Sequence, residues 1–413
     1  MYSKGEEDLE KALLYACSFI IEDDLMWFVP MRYNYLCCYN LVTEKVEKKF
    51  RLPEGNYYPN LYKNILSHNG KLYLIPFNGS DLLVFNKKNE EYEKISLEPY
   101  SNVDIRFYAA TIYGDRLFLF PESISTRIKN PYFVIQVDLT GGGSVCLNNL
   151  DLMIPPTEGI YRKVFSSKLH VNEELCYILL QKTNSLIEYN LESNIWNIYE
   201  VGKKDNMYST MFVVENIFYL VNQDGNVTIW NREENRCNEY INKIQKYAVD
   251  NKNSFEAFSS SIEFQNKIYF IPAFANSVIS FDGLKISEAT FSSRLFESEK
   301  RMELGETNGC YLCTFLKGNK LYVWSLFSYK FFVIQMDCNE VECKLIETRF
   351  DDKELDQLYI DFKKCMPDAY EENISNFSDL YYYLKRLSSK NRFKNSSIEE
   401  DSVGKKVLYK VMM

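Results

Sequence analysis

Seven short apolar runs, LMWFVP, KLYLIP, RLFLFP, LCYILL, NIFYLV, KIYFIP and KLYVWS, each carry an aromatic at the third position: Trp27, Tyr73, Phe118, Tyr177, Phe218, Tyr269 and Tyr322. Runs of this length, rich in β-branched and aromatic residues and bounded by turn formers, read as strands. Successive aromatics are 46, 45, 59, 41, 51 and 53 residues apart, a period that belongs to propeller blades and not to helical solenoids. A second aromatic follows twelve residues later in five units, at Tyr39, Phe85, Tyr189, Trp230 and Phe281. In the other two, the matching strings YFVIQVD and FFVIQMD put Val137 and Met336 in that place after insertions of seven and two residues. The next residue is Asn or Asp in all seven units: Asn40, Asn86, Asp138, Asn190, Asn231, Asp282 and Asp337. Such side chains bond to the backbone two residues on and start tight turns, so they mark the corner between a third and a fourth strand.

Unit two divides accordingly into KNILSH, KLYLIP, LLVFN and EYEKISL, with Asn69-Gly70 as the first hairpin turn. The first strands are rich in small residues, Ala109-Ala110, Ser166-Ser167, Ser209 and Ser259-Ser260-Ser261, as expected where strands converge on a narrow channel. The paired aromatics then fill the space between blades, each burying roughly 150–250 Å², which accounts for the 32 Tyr and 28 Phe without a ligand. The expected fold is all-β: a closed seven-bladed β-propeller of four-stranded antiparallel blades over residues 15–350.

The string Tyr189-Asn190-Leu191-Glu192-Ser193-Asn194-Ile195-Trp196 resembles the third strand, turn and tryptophan of kelch repeats, and KLYLIP resembles their second strand. The resemblance covers about residues 14–350. The double glycine that closes the kelch second strand is replaced by Pro30, Pro76, Pro121 and Pro272 or by an apolar residue, and the tryptophan stands only in unit four, with Tyr92 in its place in unit two. The resemblance implies a divergent kelch-like propeller in which an arginine ahead of the first strand points toward the channel; Arg106 and Arg162 occupy such places. Copper oxidases among kelch-type propellers use several His and Tyr ligands, a set this chain lacks.

Outside the repeats, Ser3-Lys4-Gly5-Glu6 has the form of a capping box, and Leu9, Ala12, Leu13 and Ala16 recur at helical spacing, predicting a short helix over residues 1–14. Residues 351–413 read as a helical extension. Leu355, Leu358, Tyr359 and Phe362 mark one stripe, and Phe377, Leu380, Tyr381, Leu384 and Leu387 a second, with Pro367 between them. A polar linker from Ser388 to Ser402 leads to an apolar tail of Val403, Val407, Leu408, Val411 and Met412. These helices either cover a propeller rim or dock another protein, and the tail can dock in cis or in trans.

Composition then narrows the class. The 413 residues are 46% hydrophobic and 25% charged, which excludes a mainly disordered chain. The net charge of -9 provides no basic field for nucleic acid or an anionic membrane, and neither partner is expected. Eleven cysteines without a dense framework, and an acidic start in place of a secretion signal, point to the reducing cytoplasm. Besides the adjacent Cys37 and Cys38, Cys310 and Cys313 have C-x-x-C spacing, but on a strand they face opposite ways and no second pair completes a site.

The search for chemistry is mostly negative. Only His68 and His170 occur, in different units, so no histidine-built metal site is expected. No nucleophile-elbow, phosphate-loop or dinucleotide motif is present, and Gly141-Gly142-Gly143 reads as a turn. The runs Glu22-Asp23-Asp24, Asp351-Asp352 and Glu399 to Asp401 read as solvated. No catalytic residue, cofactor or metal is assigned. Candidate ligand contacts are Arg106 in the connector Glu98 to Phe107, Arg127 with Lys129 in the loop Glu122 to Pro131, and Arg162 in the connector Asn148 to Phe165. These loops emerge at the channel mouth together. The functional expectation is a non-catalytic scaffold that presents them and the C-terminal segment to another protein; the alternative is an enzyme or a glycan or peptide binder with its site in the mouth.

Overall fold

The computed structural model describes residues 11–31, 33–53, 60–98, 105–125, 128, 130–141, 143–150, 152, 161–244, 257–273, 275–299, 311–326, 328–351 and 353–354. The chain divides into two compact units, Leu13–Glu54 with Tyr58–Thr348, and Met1–Ala12 with Gly55–Tyr57 and Arg349–Met413. The first holds seven antiparallel meanders in chain order, one for each sequence repeat, here blades 1 to 7. Their innermost strands are Phe19–Glu22, Tyr62–His68, Ile105–Tyr113, Phe165–Asn172, Tyr208–Val214, Phe258–Phe264 and Tyr311–Lys317. Each lies against the next, and the last lies against the first, which closes the ring. No strand is exchanged at the closure, because blades 1 and 7 each keep four strands of their own. Blade 3 gains a fifth strand, Tyr161–Lys163, from its outgoing connector.

The repeated aromatics do what their spacing predicts. Trp27, Tyr73, Phe118, Tyr177, Phe218 and Tyr322 on the second strands are buried and Tyr269 is half-buried; Tyr39, Phe85, Val137, Tyr189, Trp230 and Phe281 on the third strands are buried, as is Met336 just past the third strand of blade 7. They interlock between blades: Trp27 lies 6.0 Å from Phe85, Phe118 6.1 Å from Tyr189, and Tyr177 4.8 Å from Phe218. At the closure Trp324 of blade 7 meets Phe28 of blade 1 edge-on at 4.9 Å, and Phe331 meets Phe19 at 5.7 Å. Beside them Leu14 N–H donates to the Ile346 carbonyl at 2.8 Å.

The Asx corners form as expected in six blades. Asn40 accepts from Val42 and Thr43 N–H, Asn86 from Lys88, Asp138 from Thr140, Asn190 from Glu192 and Ser193, Asn231 from Glu234, and Asp282 from Leu284 and Lys285. In blade 7, Asp337 accepts instead from the adjacent Cys338 N–H and from Asn319 Nδ2. The outermost strands, such as KVEKKFR, EYEKIS and EVECKL, alternate exposed charge with half-buried residues, which discourages edge pairing with other chains.

Three expectations change. The helical spacing near the N-terminus is overridden: Lys11–Leu13 is a strand, and the backbone groups of Leu14 and Tyr15 bond to Ile346 and Met31 and not within a helix. Tertiary pairing outweighs a weak local helix preference here; residues 1–10 lie outside the described residues. In blade 3, Pro121 does not end the second strand. Arg116–Ser125 continues through it, and Pro121 sits opposite Phe107 at a register shift where no ladder donor is needed. A helix that the pattern did not predict, Ser292–Glu299, joins blades 6 and 7, with Leu295 and Phe296 buried and Ser292 Oγ accepting from Val278 N–H at 3.0 Å.

In the second unit Asp351 and Glu354 exchange side-chain to N–H bonds of 2.8 Å each, the reciprocal form of a helix start. The two helical stripes, the linker and the tail expected beyond them lie outside the described residues.

Candidate functional site

An antiparallel meander sends its second-to-third connection and its outgoing connector to the same end. At that end of blades 2 to 4 charged side chains gather. Lys63 stands near the start of Tyr62–His68, Arg106 near the start of Ile105–Tyr113, and Glu122 near the far end of Arg116–Ser125. The connector strand brings Lys163 alongside, since Ser123 is registered with Arg106 on one side and with Lys163 on the other. Lys168 follows on the innermost strand of blade 4.

Glu122 is the centre of the group. Lys163 Nζ donates to its Oε1 at 2.7 Å. Its Oε2 is buried and accepts no hydrogen bond from a described residue, and Lys63 Nζ lies 4.0 Å away, within ion-pair reach only. Burial pushes the Glu122 carboxyl up, but Lys63, Lys163 and Arg106 together outweigh it and hold the group below the ordinary carboxylate range.

Ring faces hold the cations. Lys63 Nζ is 3.6 Å from the Phe77 centroid and 5.5 Å from that of Tyr108; Lys168 Nζ is 5.8 Å from Tyr108, and the Arg106 guanidinium carbon 5.4 Å from Phe77. Such contacts contribute about 0.5–2 kcal/mol each. Neither Lys63 Nζ nor Lys168 Nζ donates a hydrogen bond to another described residue.

Tyr108 itself reaches past blade 2: its hydroxyl donates to the Cys17 carbonyl, in the segment leading into blade 1, at 3.0 Å. Asn64 joins in, donating to the Tyr108 carbonyl at 2.8 Å and accepting from Ser18 Oγ at 2.9 Å. The Cys17 thiol is pushed up to about 11, by burial first, against the opposing pull of Lys63. It is protonated at neutral pH and a poor nucleophile.

Of the three arginines singled out in the sequence, Arg106 belongs to this group, though on a strand and not in a loop. Arg162 also lies on a strand, registered with Ile124. Arg127, with Lys129, lies outside the described residues. Sequence reasoning missed Lys63, Glu122, Lys163 and Lys168.

The histidines are elsewhere. His68 Nε2 is 3.1 Å from Asp115 Oδ1 at the opposite end of blade 2. His170 lies edge-on to Phe212, and burial pushes its imidazole down. Cys313 is buried, its Sγ 4.0 Å from the Phe19 carbonyl; Cys310 lies outside the described residues. Glu22 pairs with Lys87 at 2.6 Å. Among the described residues no group of three or more His, Cys, Asp or Glu comes together to hold a metal, and no helix is long and apolar enough to cross a membrane. A concavity of about 430 Å³ opens on the outer part of blade 3, lined by Asp115, Arg116, Gln136, Asp138, Thr140 and their neighbours.

The chain matches no protein-family model, and no curated protein matches its sequence. Solved structures resemble it in fold alone. It is similar to BamB from Moraxella catarrhalis, with 14% identity, a TM-score of 0.46, and 76% of this chain and 80% of that one covered. KlHsv2 with loop 6CD replaced by a Gly-Ser linker gives 7% identity and a TM-score of 0.48, covering 81% and 98%. The computationally designed Ika8 protein gives 9% and 0.45, covering 82% and 98%. The chain is a seven-bladed β-propeller.

Proposed function

We propose that the chain is a divergent kelch-like propeller of the reducing cytoplasm, acting as a non-catalytic interaction module that receives a protein partner at the connector end of blades 2 to 4. The observation that carries this reading is the state of the ionisable groups there. A general acid or base works with a pKa near the working pH, whereas Glu122 is held ionised by its cations and Cys17 is held protonated. What the site offers is fixed charge beside aromatic faces, which suits recognition. Free thiols at Cys17, Cys38, Cys146, Cys176, Cys237, Cys313 and Cys338 are in keeping with a reducing compartment.

The test is site-specific photocross-linking of the full chain in native lysate. Benzoylphenylalanine at Ser80 or Lys182, in the second-to-third connections of blades 2 and 4, is expected to capture a discrete protein band. The same group at Glu173 or Asn194, at the opposite end, is expected to capture none. Equal capture at both ends, or none at either, overturns the reading.

A further inference from the structure

Among the described residues, Lys63 and Lys163 stand against the Glu122 carboxylate, and Lys168 lies beside the Tyr108 ring that Lys63 also approaches. Lys63 and Lys163 exceed that carboxylate by one formal charge, and Lys168 raises the excess among the described residues to two. This reverses the sign of a chain whose net charge is -9. Burying such an excess is unfavourable unless an anion compensates it. Two observations show that compensation is incomplete. The ammoniums of Lys63 and Lys168, beside the Tyr108 ring, donate no hydrogen bond to any described residue. The Lys63 side chain is only 15% exposed, so its three donors have limited water to turn to.

We infer that this cluster binds a phosphoryl group, presented on a segment of the protein partner. The inference rests on the interaction reading above. A phosphoryl group carries about -1.5 to -2 charge and three acceptor oxygens, which suits an excess of two charges better than a single carboxylate does. Lysines act on phosphate as point charges, without the planar fork that carboxylate recognition favours. The cations come from three successive blades and a connector, at the end where a partner's backbone can pass. Phe77, whose ring already carries Lys63 and Arg106, forms the apolar side of the site.

The experiment uses the full chain and fluorescein-labelled peptides of alanine and glycine whose central residue is phosphoserine, glutamate or serine. Fluorescence anisotropy is expected to rank phosphoserine above glutamate above serine, with at least a tenfold gap between first and last. Lys168→Met, which loses no hydrogen bond to a described residue, is expected to weaken phosphopeptide binding at least fivefold in a chain that stays folded, its melting temperature falling only by the loss of the Tyr108 ring contact, and Lys168→Arg to restore most of it. Glu122→Gln removes the internal anion and is expected to tighten binding severalfold, which a merely structural cluster would not do. Inorganic phosphate is the second arm. If it raises the melting temperature of the native chain but not of Lys168→Met while all peptides bind alike, the site stands with free phosphate as its source and the peptide source is overturned. Equal binding of the three peptides with no phosphate effect overturns the inference. If photocross-linking at Ser80 persists in that case, the interaction reading survives it.

Discussion

Glu122 is a buried carboxylate kept ionised, and the sign of its contribution follows from that. Its pKa in the fold lies below that of the unfolded chain, about 4.3. The stability it contributes is therefore complete above that pH and is lost as pH falls through the lower, folded value. Glu122→Gln should lower stability near neutrality by about 1.5–3 kcal/mol, the range for a hydrogen bond to a charged group, discounted toward the lower end because Lys163 is 30% exposed. Urea titrations across pH should show the difference between native and Glu122→Gln chains shrinking below about pH 4; a difference that persists into acid would contradict the account. Nothing in the sequence distinguishes Lys63 or Lys168 from a solvated surface lysine. The group is assembled from residues 63 to 168, on three blades and a connector, and only the packing of those blades side by side brings them together. Arg106 was legible because it stands at the start of a recognisable first strand.

At the level of the blade the sequence spoke clearly, because two aromatics twelve residues apart and an Asx corner are all set by local geometry. Phe85 shows what that register means energetically: fully buried, it lies 6.0 Å from Trp27, 4.6 Å from Phe50 and 5.0 Å from Tyr92. Phe85→Ala, and likewise Tyr73→Ala, should each destabilise by about 3–5 kcal/mol, read from the shift of the urea midpoint at constant slope. A loss below about 1 kcal/mol at both sites would show that neither is packed between blades. The helix Ser292–Glu299 was not legible. Two turns long, in an irregular connector, it owes its form to Phe291, Leu295 and Phe296 packing with blades 6 and 7, not to a periodic stretch long enough to read. The strand Arg116–Ser125 was cut short for a related reason, since Pro121 is a sound stop signal except where a register shift removes the need for its N–H.

Across the whole molecule the ring is sealed by side chains. Trp324 is fully buried and meets Phe19, Phe28 and Phe331 at 6.2, 4.9 and 5.3 Å. Trp324→Ala should destabilise by about 3–5 kcal/mol and, unlike Phe85→Ala, should raise amide hydrogen exchange first in blades 1 and 7, because it opens the seam before it loosens any single sheet. Exchange that rises evenly around the ring would contradict this.

That mode of closure sets a schedule on the ribosome. Every blade is made from one uninterrupted stretch, so each can form as it emerges, but Phe19 and Phe28 meet their partners only when blade 7 arrives roughly 300 residues later, some 15–60 s at ordinary translation rates. For that interval the nascent chain carries an unsealed apolar flank that another copy's blade 7 could occupy. Since Leu14 and Ile346 end up bonded to each other, no blade has a structural claim to be first. A chain re-cut in the connector at 245–256, with its old ends linked, would form the same ring and expose a different flank while it waits.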